Sequence, residues 1–90
     1  MTHIVYVLES VKDGSHYIGC AKDFNQRFKL HNSGKVFSTR KHIPFRLIYA
    51  EIYGNQQDAF VREKFLKTGW GRNYLKRTLK NYLGSKKLGG

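Results

Sequence analysis

Apolar and polar positions divide the chain into six segments. From His3 to Glu9, Ile4, Tyr6 and Leu8 alternate with Val5 and Val7, so both faces of an extended segment are apolar. That pattern predicts a central β-strand. Lys12-Asp13-Gly14 supplies a hairpin turn. His16 to Cys20 is the returning strand, its antiparallel neighbour. Alternation puts Tyr17 and Gly19 on one face of that strand, and the hairpin can bring Tyr6 and Tyr17 to the same face. Asp23 then opens a helix: its carboxylate can accept a backbone N–H, and Gln26 fits a capping box. Phe24 and Phe28 point from this helix into a core, while Arg27 and His31 are neighbours on it. Asn32-Ser33-Gly34 ends the helix, with Gly34 suited to a left-handed cap.

Lys35 to Ile43 is polar and basic and reads as an exposed loop, closed by Pro44. Phe45 to Tyr53 alternates again and predicts a third strand. Asn55 caps a helix over Gln56 to Lys67, with Asp58 in its first turn and Ala59, Phe60, Glu63 and Leu66 along one stripe. Thr68-Gly69-Trp70-Gly71 is a break, with Trp70 expected to cap the hinge from the core rather than stack a base. Asn73 to Leu83 forms a last amphipathic helix, with Tyr74, Leu75, Leu79 and Tyr82 opposite Lys76, Arg77 and Lys80. Residues 84–90 read as a flexible tail. The order β-β-α-β-α-α predicts an α+β fold, a central three-stranded antiparallel sheet flanked by helices, in one domain over residues 1–83.

Ninety residues suit one domain whose modest core needs large side chains, and thirteen aromatics supply them. No apolar run approaches the roughly 20 residues of a membrane span, and no signal-peptide pattern is present. Cys20 is the single cysteine, which excludes an intramolecular disulfide and a Cys-based zinc site. The expected location is the cytoplasm. Seventeen Lys and Arg against six acids give a net charge of +11. The cations are spread over the folded-looking segments, which points to a polyanion, nucleic acid first. No helix joins a basic face to a broad apolar one, so a membrane surface fits less well. Small basic proteins without catalysis carry comparable charge.

The chain has no Ser-His-Asp pattern, P-loop, dinucleotide fingerprint or paired carboxylates. Tyr6, Tyr17, Arg27, His31 and Glu63 remain, and this set can hydrolyse a phosphodiester. A lone carboxylate can hold one hydrated Mg²⁺ that also binds phosphate oxygens. Such a metal polarises the phosphate and lowers the pKa of a water. The forked donors of arginine suit a phosphate oxygen. A tyrosine, with a reference pKa of about 10, is a poor base unless cations lower it. The same residues also fit a plain β-α unit with core aromatics and a surface arginine. Glu63, a carboxylate in an apolar stripe, fits an ion pair with an arginine equally well. Residue types alone do not choose between a nuclease and a nucleic-acid binder.

The order of the motifs adds to this. Val5-Tyr6 within Ile4-Val5-Tyr6-Val7 is followed by an intact Tyr17-Ile18-Gly19, then Asp23, Arg27 and His31-Asn32-Ser33-Gly34-Lys35. Pro44-Phe45, Arg62-Glu63-Lys64 and Gly69-Trp70-Gly71-Arg72 come next. This succession, from about Ile4 to Leu83, resembles the GIY-YIG nucleases. It is most similar to the small, stand-alone, excinuclease-like bacterial proteins. The first motif departs from its name, with Ile4 where the family's first glycine stands. The resemblance implies a DNA endonuclease of low sequence specificity that depends on Mg²⁺ or Mn²⁺, with a role in repair or recombination. It implies Tyr6 as candidate base, Tyr17 as the phenol that orients water or phosphate, and Arg27 as the phosphate clamp. It further implies His31 in proton transfer or orientation and Glu63 as metal ligand. Asn73 lies near where some members place a supporting asparagine. Phosphate contacts are expected from Lys35, Arg40, Lys41, Lys76 and Arg77. DNA is the expected partner, RNA an alternative. Two other readings stay open, a non-catalytic binder on a nuclease-like fold and a protein active only within a larger repair complex.

Overall fold

The strand β1 (His3–Ser10) is the middle of a three-stranded antiparallel sheet, order β2-β1-β3, with β2 spanning His16–Ala21 and β3 Phe45–Tyr53. Its two apolar faces explain that position, since a central strand buries both sides. The computed structural model describes residues 2–89, with side chains as far as Ser85. The helices are α1 (Phe24–Asn32), α2 (Gln56–Leu66), α3 (Gly69–Thr78) and α4 (Lys80–Gly89). The expected α+β architecture and its three-stranded sheet are present.

Each face of the sheet has its own core. Tyr6, Leu8, Ala21 and Phe45 are buried beneath α1, with Tyr17, Phe24 and Phe28 packed against them. On the other face Val5 and Val7 meet Ala59 and Leu66 of α2 and Leu75 of α3. Register settles what alternation left open. Tyr6 stands opposite Gly19, and Leu8 opposite Tyr17, so Tyr6 and Tyr17 share the α1 face.

Local caps place the helices. The Asp23 carboxylate accepts from the Gln26 N–H at 3.0 Å. Asn55 Oδ1 accepts from the N–H groups of Gln57 and Asp58 at 2.9 and 3.2 Å. Each satisfies donors that the first turn of a helix leaves orphaned. Gly14 and Gly34 hold φ of 77° and 80°, the left-handed conformation that a turn and a helix end require. Asn32 then mimics a strand partner. Its Nδ2 donates to the Phe45 carbonyl at 3.2 Å and its Oδ1 accepts from the Phe45 N–H at 2.7 Å, tying the end of α1 to the start of β3.

Several local expectations change. Thr68 to Gly71 is no break: Thr68 is an N-cap whose hydroxyl accepts from the Gly71 N–H at 3.2 Å, and the two glycines lie in the first turn of α3. A side chain at Gly71 would strike the Phe65 carbonyl and Leu66 backbone, so glycine lets α3 approach the end of α2. Trp70 is 79% exposed and is not a core cap. Phe60 is 44% exposed, and α2 buries Ala59 and Leu66 instead. The single last helix is two, interrupted at Leu79. The backbone of α4 runs through Gly89, whereas the tail was expected from Gly84; the side chains of 86–90 and residue 90 itself lie outside the described residues. The basic loop contains a 3₁₀ turn, Arg40–His42, preceded by the buried Thr39.

Two carboxylates without an expected role hold the fold. Glu51 accepts from Arg62 Nε and Nη2 at 2.8 and 3.0 Å, from Tyr53 Oη at 2.7 Å and from the Tyr49 hydroxyl. Arg62 also lies over the rings of Tyr74 and Phe65, at 4.6 and 5.1 Å. This cluster clamps α2 and α3 to β3. Glu9, buried in β1, meets His16 Nε2 at 3.1 Å and accepts from Tyr82 Oη at 2.6 Å, anchoring α4. His42 Nδ1 lies 2.6 Å from the Asp13 carboxylate, tying the hairpin turn to the basic loop.

Candidate active site

The site is built around the Tyr6 hydroxyl. Tyr6 leaves the central strand on the α1 face and crosses Gly19, its partner on the edge strand β2. A Cβ at Gly19 would lie 2.5 Å from Tyr6 Oη. Glycine there opens the space that the phenol occupies. Tyr17 lies two positions from Gly19 on the same face, with its ring centroid 6.4 Å from that of Tyr6 and 4.8 Å from His31. Phe24 meets Tyr6 edge to face at 5.2 Å, a favourable aromatic geometry.

His31 is fully buried at the end of α1. Its Nε2 lies 3.1 Å from Tyr6 Oη and its Nδ1 2.9 Å from Thr39 Oγ1. Both ring nitrogens are therefore engaged. Burial, reinforced by the nearby Arg27 charge, lowers the His31 pKa and keeps the imidazole neutral. Burial pushes the Tyr6 phenol well above its ordinary value. Tyr17 and Glu63 act in the same direction, and Arg27 opposes them. The phenol is thus a proton donor in this state, not a ready base.

Arg27 projects from the exposed side of α1 and makes no salt bridge among the described residues. Its charge is nonetheless felt at both Tyr6 and His31. Glu63 comes from α2, which covers the opposite face, yet its charge acts on Tyr6 and on Cys20 of β2. Both charges thus act on Tyr6, from helices on opposite faces of the sheet. Glu63 pairs with Lys67 at 3.0 Å, one turn on. The arginine partner weighed for Glu63 is absent among the described residues, and an exposed i, i+4 pair of this kind is weak. Cys20, taken as a packing residue, has its thiol pKa raised by burial and then by Glu63, consistent with an inert thiol.

The donor set around Glu63 is one oxygen carboxylate. No group of three His, Cys, Asp or Glu side chains that could cage a metal occurs among the described residues. A hydrated hard cation fits such a set, because Mg²⁺ keeps several waters and leans on one or two carboxylates plus substrate phosphate. Asn73 is not drawn in. It stands exposed on α3, with no hydrogen bond to the cluster among the described residues. Lys35, Arg40, Lys41, Lys76 and Arg77 are all exposed. Arg40 lies 4.6 Å above the ring of Phe37, which is 78% exposed.

Sequence reasoning missed three features. Thr39 holds His31, and the signal for it was only a threonine eight residues on within a basic loop. The Glu51–Arg62 clamp places α2, and Arg62 directly precedes Glu63. A cavity of about 660 Å³ between β2 and the last helices carries Lys67, Arg72 and Lys76 over a floor of Val7, Ile18 and Leu75. Lys67 links this cavity to Glu63, and Tyr17 also lines it. No helix among the described residues is long and apolar enough to cross a membrane.

Comparison with known proteins gives the family. The family model described as the GIY-YIG catalytic domain matches residues 2–85. A UPF0213 protein of Streptococcus pneumoniae serotype 4 is 44% identical over 64 residues, which cover 70% of this chain and 64% of the relative. The matched segment thus spans under two thirds of that relative's length. A UPF0213 protein of Staphylococcus aureus is 40% identical over 74% of this chain and 82% of its own. The solution NMR structure of UPF0213 protein BH0048 from Bacillus halodurans is 39% identical, covers 97% of this chain and 86% of its own, and superposes with a TM-score of 0.48. The match over residues 2–85, together with 40% identity to a relative over most of both chains, shows that this chain belongs to the GIY-YIG family, among its small UPF0213 members.

Proposed function

We propose that the protein is an endonuclease that hydrolyses nucleic-acid phosphodiester bonds, DNA foremost, with Mg²⁺ or Mn²⁺. The observation that carries the reading is the Tyr6–His31 hydrogen bond, buried at 3.1 Å within the electrostatic reach of Arg27 and Glu63. A merely structural tyrosine needs neither a guanidinium nor an acid whose charge reaches its hydroxyl. Glu63 would hold the metal, releasing Lys67, and the metal supplies polarisation of the phosphate and a more acidic water.

The chain's own residues supply the rest. Arg27, exposed on α1, places its forked donors on the scissile phosphate and offsets the charge that develops there. Tyr17 orients the attacking water or the phosphate. Tyr6 accepts a proton from the water as it passes its own to His31 Nε2, which avoids a free phenolate in a buried site. Net charge of +11 gathers the polyanion, with Lys35, Arg40, Lys41, Lys76 and Arg77 on phosphates rather than bases. Low sequence specificity follows.

The test incubates supercoiled, single-stranded and branched DNA with Mg²⁺ or Mn²⁺, with and without chelator. Wild type is expected to cleave at least one of these, and Glu63→Ala and Arg27→Ala to lose cleavage while remaining folded. Cleavage that survives both substitutions refutes the assigned roles. Binding that weakens with salt, ignores chelator and yields no product would identify a non-catalytic binder. Activity that needs an added repair protein would identify a component of a larger complex.

A further inference from the structure

We propose that Thr39 is a positioning residue that holds His31 in the Nδ1–H tautomer, so that Nε2 faces Tyr6 as a proton acceptor. Its consequence for catalysis rests on the nuclease reading above; the hydrogen-bond arrangement does not.

Thr39 precedes the 3₁₀ turn Arg40–His42 at the position where a threonine hydroxyl ordinarily caps the following N–H groups, yet it makes no capping bond. It is 2% exposed, and its Oγ1 lies 2.9 Å from His31 Nδ1. A neutral imidazole has one donor and one acceptor, so two arrangements exist. In the first, Nδ1–H donates to Thr39 Oγ1 and the threonine hydroxyl turns to the Val36 carbonyl at 3.5 Å. The Tyr6 hydroxyl then donates to Nε2 at 3.1 Å, and every hydrogen has an acceptor. In the second, Nε2–H donates to Tyr6 and Thr39 donates to Nδ1. The hydrogen of the buried Tyr6 hydroxyl is then left with no acceptor among the described residues. Buried polar groups are overwhelmingly paired, which selects the first arrangement.

The arrangement gives the proton a path. As water adds to phosphorus, its O–H bond breaks and an Oη–H bond forms on Tyr6. The former Tyr6 proton forms an Nε2–H bond on His31. The P–O bond to the leaving oxygen breaks, that oxygen takes a proton from solvent, and the relay resets as Tyr6 releases its hydroxyl proton to solvent and takes back the Nε2 proton of the buried His31. Throughout, Nδ1–H stays on Thr39. Without Thr39, Nδ1–H loses its acceptor, and only the Tyr6 hydrogen still favours a bare Nε2.

The experiment is ¹⁵N-edited NMR of the His31 ring in the full chain, for wild type, Thr39→Val and Thr39→Ser, with cleavage kinetics across pH. Wild type should show a protonated Nδ1 and a bare Nε2. Thr39→Val should shift the ring towards Nε2–H and lower kcat about 10- to 100-fold, as loss of an orienting partner does, with KM unchanged. Thr39→Ser should recover both the tautomer and kcat. A wild-type ring protonated at Nε2 overturns the proposal, and so does Thr39→Val with wild-type tautomer and kcat. The wild-type spectrum decides the tautomer even if Thr39→Val does not fold. A wild type that cleaves nothing but shows protonated Nδ1 sinks the nuclease reading and leaves the Thr39 arrangement standing.

Discussion

Gly19 lies directly beneath the Tyr6 hydroxyl, close enough that a Cβ on it would sit 2.5 Å from Oη. Gly19→Ala is therefore a small change aimed at one atom. The phenol must swing off Gly19, breaking its bond to His31. The expected cost is about 1–3 kcal/mol of stability, typical of overpacking, with a loss of cleavage far larger than that destabilisation explains. Thermal unfolding and cleavage measured on the same sample separate the two effects.

Glu63→Gln should leave stability within about 0.5 kcal/mol of wild type, since it removes only a partly exposed i, i+4 pair with Lys67. Under the proposed function it should abolish metal-dependent cleavage. Calorimetric titration with Mn²⁺ should show weakened binding in parallel.

The Glu51–Arg62 clamp predicts an acid-sensitive fold. Burial alone would raise the Glu51 carboxyl, but hydrogen bonds from Arg62, Tyr49 and Tyr53 outweigh it and bring the pKa down to about 2. A carboxyl depressed in the folded state stabilises above its unfolded pKa and loses that contribution as pH falls through the folded value. Stability should thus decline between about pH 4.5 and 2. Glu51→Gln, which leaves Arg62 without its partner, should cost about 3 kcal/mol at pH 7 and flatten this decline. Urea unfolding at several pH values measures both.

His31 gives a second pH signature. Its pKa is lowered by burial and then by Arg27, so the folded protein resists protonation there while the unfolded chain does not. The unfolded state binds the extra proton, so this contribution weakens as pH falls below about 6.5. An NMR titration should find the His31 ring neutral at pH 6.5. A ring half-protonated at that pH would contradict the burial argument.

Binding to nucleic acid should be steeply salt-dependent and nearly independent of sequence. Substituting any one of Lys35, Arg40, Lys41, Lys76 or Arg77 by alanine should reduce the slope of log K against log salt by about 0.7–0.9, equally for unrelated sequences. Fluorescence anisotropy over a salt series reads this directly.

Most of the fold was legible because its signals are local. The two-faced β1 pattern announced a central strand, and Asp23 and Asn55 marked the helix starts that they in fact cap. Alternation and one hairpin allowed Tyr6 and Tyr17 a common face, and the observed register decided it. Trp70 and the Gly69–Gly71 stretch misled because a glycine pair reads as a break, whereas here both lie in the first turn of α3 and Gly71 lets that turn sit close against the end of α2.

The chain by itself determined the strands, the caps, the charge and the residues of the signature, since each depends on neighbours a few positions away. Tertiary structure decided how those residues meet. Register put glycine under the Tyr6 hydroxyl, the basic loop folded Thr39 back onto His31, and the docking of α2 on β3 gave Arg62 to Glu51. Glu9 reaches Tyr82 across 73 positions of sequence, and no periodicity extends that far. Contacts of that kind are set by how whole elements pack, which is where the chemistry of this site is assembled.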